Sequence, residues 1–230
     1  MEKKTGFLVI ADISGFTEFI KIHNMKSMPL FGGPLASYWE SHAEQLIRDL
    51  LEAVIDSLEP FFTLNKIEGD AAFFWLEDGD VKKQAADILQ MMEKAQAVFR
   101  AKLADLKFVE SCPCDPCQQS KNLRLKIVVH RGAFQLTKIR NFTELAGESV
   151  IFVHRLLKNG IKSDEYWLFS KQVSDLLENR SDLVEVTEKI ESFGKQKLAV
   201  RYFDNDPARL SSLGLLSRIR QFPKMLTYYK

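Results

Sequence analysis

The stretch Phe7 to Thr17, FLVIADISGFT, constrains this chain more than any other. Phe7, Leu8, Val9 and Ile10 are consecutive apolar residues with β-branched members, which predicts a strand buried on both faces. The run stops at Asp12. Ser14-Gly15-Phe16-Thr17 then reads as a turn opening onto a helix whose first amides have no intrahelical partner. A carboxylate at a strand's end beside free helix-start N–H groups suits a divalent cation and a phosphate. The same carboxylate would equally serve as a helix cap, so the motif needs a partner elsewhere before it speaks for chemistry.

After Thr17 the pattern predicts a short helix, Glu18 to about His23, and a loop holding Pro29, Gly32, Gly33 and Pro34. Tyr38, His42, Leu46, Leu50, Val54 and Leu58 then recur three to four apart, the apolar stripe of a long helix that Pro60 stops. Phe61 to Ile67 and Ala71 to Leu76 read as strands joined by a tight turn at Glu68-Gly69-Asp70. Asp80 caps a second long helix running to about Leu103. Ser111 to Lys121 reads as a polar, Pro-containing loop. Leu123 to Val129 and Ala133 to Ile139 are expected to form a hairpin around His130-Arg131-Gly132. Gly147 opens a helix ending at Asn159-Gly160. Tyr166 to Phe169 is a strand, Lys171 to Leu177 a helix, and Leu183 to Ile190 pairs with Leu198 to Phe203. A basic amphipathic helix ends the chain.

This order predicts an α+β fold in which helices cover one face of a largely antiparallel sheet. The expected partition is one domain over residues 1–204, with the cysteine loop inserted at 106–122, and a helical tail over 205–230. In such a core the end of the first strand and the turn of the middle hairpin lie side by side, so Asp12 and Asp70 can meet. Two adjacent carboxylates repel unless one is protonated or a cation sits between them. That pair favours a metal site.

A net charge of +1, with both signs evenly spread, gives no electrostatic footprint for nucleic acid or for an anionic membrane. No apolar run approaches the roughly 20 residues of a membrane span. Three cysteines, all between Cys112 and Cys117, are odd in number and too crowded for a disulfide framework, which favours a reducing, cytoplasmic setting. Cys112, Cys114 and Cys117 place three soft ligands within reach of one Zn²⁺, the fourth coming from Asp115, a histidine or a second subunit. An iron–sulfur cluster is the lesser option, and three reduced thiols on a loop the plain one. His130, following an apolar strand, reads as a structural histidine, and Phe61, Phe62, Phe73 and Phe74 read as core.

Three segments together resemble the catalytic domain of class III adenylyl and guanylyl cyclases: ADISGFT (Ala11 to Thr17), NKIEGD (Asn65 to Asp70), and KIVVHRG with GESVIFVHRL between Leu125 and Leu156. Finer details resemble an uncharacterised bacterial branch of that superfamily. The resemblance implies a ferredoxin-like βαββαβ core with extra C-terminal strands and helices. It implies Mg²⁺ or Mn²⁺ at Asp12 and Asp70 with the Ile13 carbonyl, in a two-metal arrangement. Gly15, Phe16 and Thr17 would offer amides to the phosphates, Lys66 and Glu144 would read the purine, and Arg155 would steady charge on the reacting phosphate. Arg155 is also readable as an ordinary solvated charge. The implied ligand is a nucleoside triphosphate, ATP favoured, in a homodimer whose site lies between subunits.

The chain departs from that pattern at two positions. The asparagine that orients the ribose falls on Ile151, which neither donates nor accepts a hydrogen bond. The second cation of the last hairpin falls near Phe193, with Lys195 out of register. Removing one positioned donor typically costs about 10²–10³-fold in rate. The expected function is therefore triphosphate binding with divalent metal and weak or absent cyclisation. The alternative is an inactive nucleotide-sensing or dimerisation module.

Overall fold

A computed structural model describes residues 2–15, 34–203 and 212–230. Phe16, Thr17 and the helix expected after them lie outside the described residues. The elements are β1 (Glu2–Ser14), α1 (Pro34–Leu58), β2 (Thr63–Glu68), β3 (Ala71–Glu77), α2 (Val81–Asp105), α3 (Asp115–Gln119), β4 (Arg124–Ile139), β5 (Phe142–Ala146), α4 (Glu148–Leu156), β6 (Tyr166–Ser170), α5 (Lys171–Ser174), β7 (Val184–Ile190), β8 (Gly194–Tyr202) and α6 (Leu215–Tyr228). The strands form one mixed sheet in the order β2-β3-β1-β4-β6-β8-β7, with β5 paired to β4. All pairings are antiparallel except β4 with β6.

β1 lies at the centre, between β3 and β4, and its continuous apolar run buries both faces. Strand side chains alternate between faces. Phe7, Val9, Ala11 and Ile13 therefore join one core with α1 and α2, whereas Leu8 and Ile10 join a second core with Val150, Phe152, Val153 and Leu156 of α4. Full burial of a side chain such as Phe7 or Leu8 is worth roughly 1.5–3 kcal/mol. Two thick cores on opposite faces explain why β1 carries no polar side chain between Phe7 and Ala11. Asp80 caps α2 as its position suggests, its carboxylate accepting the Lys83 N–H at 3.1 Å, a contact worth about 1 kcal/mol.

Three expectations change. First, helices cover both faces, because the even-numbered residues of β1 are as apolar as the odd ones and need α4 over them. Second, His130-Arg131-Gly132 is not a turn. β4 runs unbroken for 16 residues because β1 begins as early as Glu2 and pairs with it from Arg124 to Leu136. Gly132 is there for close packing: a Cβ on it would lie 2.2 Å from Ser149 Oγ of α4. The real reversal falls at Arg140 and Asn141, with Arg140 at φ 55°, the left-handed backbone that a two-residue hairpin requires. Third, the cysteine segment is no exposed polar loop. It holds a 3₁₀ stretch (Leu106–Ser111) and the short helix α3, and all three cysteines are buried in the core beneath α1 and α2.

Candidate functional site

The two aspartates meet on the α4 side of the sheet. Asp12 pairs in register with Ala71, the neighbour of Asp70, and the Ile13 N–H donates to the Asp70 carbonyl at 3.0 Å. A strand residue's N–H and C=O leave on the same edge, so the Ile13 carbonyl also faces the Asp70 turn. Burial pushes the Asp12 carboxyl up to about 6, and the Asp70 charge adds to the rise. Asp70 is raised too, chiefly by burial. The Asp70 charge thus reaches Asp12 where burial leaves little water to screen it.

Lys126 was not anticipated. It stands directly opposite Asp12 on β4, its ammonium lies 5.5 Å from the centre of the Tyr166 ring, and its charge pulls both aspartates downward without cancelling their rise. The only trace in the sequence is a lone lysine inside the apolar strand LKIVVH. A polar cavity of about 560 Å³ adjoins it, with Asn122, Arg124, Lys126, Lys162, Ser163 and Asp164 in its wall. Ser14, at the end of β1, donates to the Asp164 carbonyl along the same wall. Gly15 follows with φ 95°, a left-handed turn residue that carries the chain out of the sheet.

A second cluster forms around the β2–β3 hairpin. Lys66 Nζ lies 2.9 Å from Glu68 and 3.7 Å from Glu144, so the two residues implied to read a base do meet, within one chain. β2 and β5 are tied here by the Asn65 side chain, which donates to the Thr143 carbonyl at 3.0 Å. His154 Nδ1 lies 3.4 Å from Glu68, and its ring meets Phe73 edge-on. Arg155 points elsewhere, into an ion pair with Glu191 of the β7–β8 turn. Ile151 is 54% exposed on the outer side of α4. Phe193 is turned inward against Phe152 at 4.8 Å, so the last hairpin presents an aromatic ring to the core where a cation was sought. His130 is structural in its contacts, sharing a hydrogen with Ser170 Oγ at 2.9 Å, and burial lowers its imidazole to about 4.

On the other face of the sheet, Cys112, Cys114 and Cys117 gather around His42 of α1. His42 belongs to the apolar stripe of its helix. A histidine at a fully buried stripe position was the available signal.

A family model described as Protein of unknown function (DUF2652) matches residues 47–166. The chain belongs to this family. The span matched in this DUF2652 protein contains Lys66, Asp70, the three cysteines, Lys126, Glu144 and Arg155, and begins after Asp12 and His42. An uncharacterized protein of Mycobacterium tuberculosis is 38% identical over 129 residues, 56% of this chain and 59% of that protein. The chain thus spans less than two thirds of that relative's length. Among solved structures, the adenylyl cyclase CyaB from P. aeruginosa superposes with a TM-score of 0.61 at 15% identity, covering 89% of this chain and 97% of the other. A class III adenylyl cyclase-like ATP-binding protein from Pseudomonas aeruginosa gives 0.52 at 17% identity, covering 76% of this chain and 35% of the other. The fold of this DUF2652 chain is therefore that of the class III nucleotide cyclase catalytic domains. No helix among the described residues is long and apolar enough to cross a membrane.

Proposed function

We propose that this chain binds a purine nucleoside triphosphate, ATP in preference, together with Mg²⁺ or Mn²⁺, on the α4 side of its sheet. The observation that carries the reading is the convergence of Asp12 and Asp70 where β1 ends. The donor set fits a hard divalent cation: two carboxylates and one carbonyl, all oxygen, with no competing sulfur or imidazole. Asp12 is held near 6 by burial first and by the Asp70 charge second, a rise that Lys126 only partly offsets. Asp12, Asp70 and the Ile13 carbonyl would hold the ion, which would supply electrostatic stabilisation of the phosphates when bound.

The chain's own residues would do the rest. Lys126 and Lys162 line a cavity sized for a phosphate tail, and the backbone amides of Gly15, Phe16 and Thr17, the residues the sequence resemblance assigns to phosphate, would add to it. Lys66 and Glu144, already paired, offer a donor and an acceptor to a purine edge. Positioning of the ribose is what is missing, because Ile151 offers no hydrogen bond. Arg155 is engaged with Glu191, and Phe193 is occupied with Phe152. Conversion to a cyclic nucleotide is accordingly weak or absent. The second reading, an inactive sensing or dimerising module, is favoured by the same Ile151, Phe193 and Arg155 observations.

A homodimer is part of the proposal. Ile67, Ile139, Phe142 and Ile151 are each more than half exposed, a set of apolar side chains that a second copy would cover. The binding unit would be residues 1–204, with 205–230 as a docked tail, and three free thiols suit a cytoplasmic setting. Calorimetric titration with ATP and Mn²⁺, repeated on Asp70→Asn, tests the reading. Metal-dependent binding lost in the variant supports it, and equal binding by both proteins removes it. A cyclic-nucleotide assay on the same samples separates weak catalysis from none.

A further inference from the structure

The cysteine segment lies on the face of the sheet opposite the aspartates and is not used by the nucleotide reading. Cys112 ends the 3₁₀ stretch, Cys114 caps α3, and Cys117 lies within α3. The turn between them is locked by Gln118, whose side-chain amide donates to the carbonyls of Glu110 and Cys112. Ser120 adds a bond to the Cys117 carbonyl at 2.8 Å. The three sulfurs then project toward His42 on α1. Their Sγ atoms lie 3.6, 3.6 and 3.8 Å from a single nitrogen, His42 Nδ1, and all four ligand atoms fall within 4.8 Å of one another.

Those separations have a simple meaning. With Zn–S near 2.3 Å and Zn–N near 2.05 Å, a tetrahedral site spaces sulfur from nitrogen by about 3.6 Å and sulfur from sulfur by about 3.8 Å. Three thiols crowded on one imidazole nitrogen in a dry interior make poor hydrogen bonds to each other. As thiolates around a cation they form a complete ligand set. The thiols are free rather than disulfide-bonded, and Cys112 and Cys114 Sγ stand 3.3 Å apart.

We propose that His42, Cys112, Cys114 and Cys117 form a tetrahedral Cys₃His zinc centre that is structural and clasps the C-terminal helix to the domain. Four protein ligands, each 3% exposed or less, leave no open coordination position for substrate, which separates a structural zinc from a catalytic one. The C-terminal residues complete the surroundings. The Tyr229 ring stacks on His42 at 3.5 Å and fixes its orientation, and the Tyr229 hydroxyl lies 3.1 Å from Cys117 Sγ, placed to donate to a thiolate. Such outer hydrogen bonds orient ligands and tune a metal site. Tyr228 donates to Asp49 at 2.8 Å while its carbonyl accepts from Gln45 at 2.7 Å, and Met225 is buried in the same core. One ion would thus tie α1, the cysteine segment and the end of α6 together.

The test uses the full chain, purified reduced and without chelator or metal-affinity resin. Elemental analysis is expected to find about one zinc per chain. Replacement with Co²⁺ should give the visible bands of tetrahedral cobalt with thiolate charge transfer in the near ultraviolet. Stripping the metal should lower Tm by roughly 10 °C, restored by adding Zn²⁺. Cys117→Ser should lose both the zinc and the cobalt spectrum. If that variant does not fold, the zinc titration of the stripped wild-type chain still decides. Asp70→Asn should keep its zinc, so failure of the nucleotide reading leaves this one standing. Less than about one tenth of a zinc per chain with no Zn²⁺-dependent rise in Tm overturns the proposal. So does iron accompanied by acid-labile sulfide.

Discussion

Replacing Asp12 by Asn is the perturbation with the clearest sign. The Asp12 carboxyl sits at about 6 instead of its ordinary 3.8. The folded state therefore binds that proton more tightly than the unfolded chain, and stability falls as pH rises from about 4 to 6. The full difference is about 3 kcal/mol at 1.36 kcal/mol per pH unit. Partial exposure and salt screening reduce it, so about 1–3 kcal/mol of strain remains in the ionised, metal-free protein at pH 8. Asn keeps the shape without the charge. Asp12→Asn should accordingly raise Tm at pH 8 by roughly 3–10 °C for a chain of this size, and by much less at pH 4.5. The assay is thermal unfolding in buffer freed of Mg²⁺ and Mn²⁺ by resin, not by soluble chelator, so that the cysteine site is untouched. Mn²⁺ should stabilise the wild type and leave Asp12→Asn unmoved. A gain equal at both pH values, or a variant less stable than wild type at pH 8, would refute the electrostatic account of the pair.

Lys66→Ala should lower ATP affinity about tenfold while leaving tripolyphosphate affinity unchanged, because only the base is expected to touch Lys66; its half-exposed ion pairs make the stability change less than about 0.5 kcal/mol. Titration calorimetry with both ligands checks this. Gly132→Ala should cost about 1–3 kcal/mol in a urea melt, since the added Cβ would meet Ser149 Oγ at 2.2 Å and His130 Nε2 at 2.8 Å. Adding Ser149→Gly should recover part of that loss. Burial holds His130 at about 4, so the folded state resists protonation and stability is lost as pH falls from about 6.5 toward 4. His130→Asn should flatten that acid slope, read from denaturant midpoints across the same range.

Much of the architecture could be read from local pattern. The apolar run of β1, the stripes of α1 and α2, the Asp80 cap and the hairpin at Gly69 are short-range features, and the structure has them within a few residues. The reversal near Gly132 could not be read that way. Glycine marks a turn and a close packing contact equally well, and only the length of β1 and the position of Ser149 decide between them. Cys-x-Cys-x-x-Cys announced three clustered thiols suited to one ion, with histidine among the candidates for a fourth ligand. His42 lies seventy residues away, hidden in an apolar stripe whose spacing it satisfied.

The chain by itself determined which side chains are available: an aspartate near the end of β1 and another in a hairpin turn, a lysine–glutamate pair, three clustered thiols, and an isoleucine and a phenylalanine where the cyclase resemblance implies polar groups. Tertiary structure alone decided who meets whom. β-sheet register set Lys126 opposite Asp12 and Lys66 beside Glu144, and helix packing brought His42 over the sulfurs. The physical reason is that side-chain chemistry is a property of single residues, whereas electrostatic coupling and coordination depend on distances between residues that only long-range pairing creates.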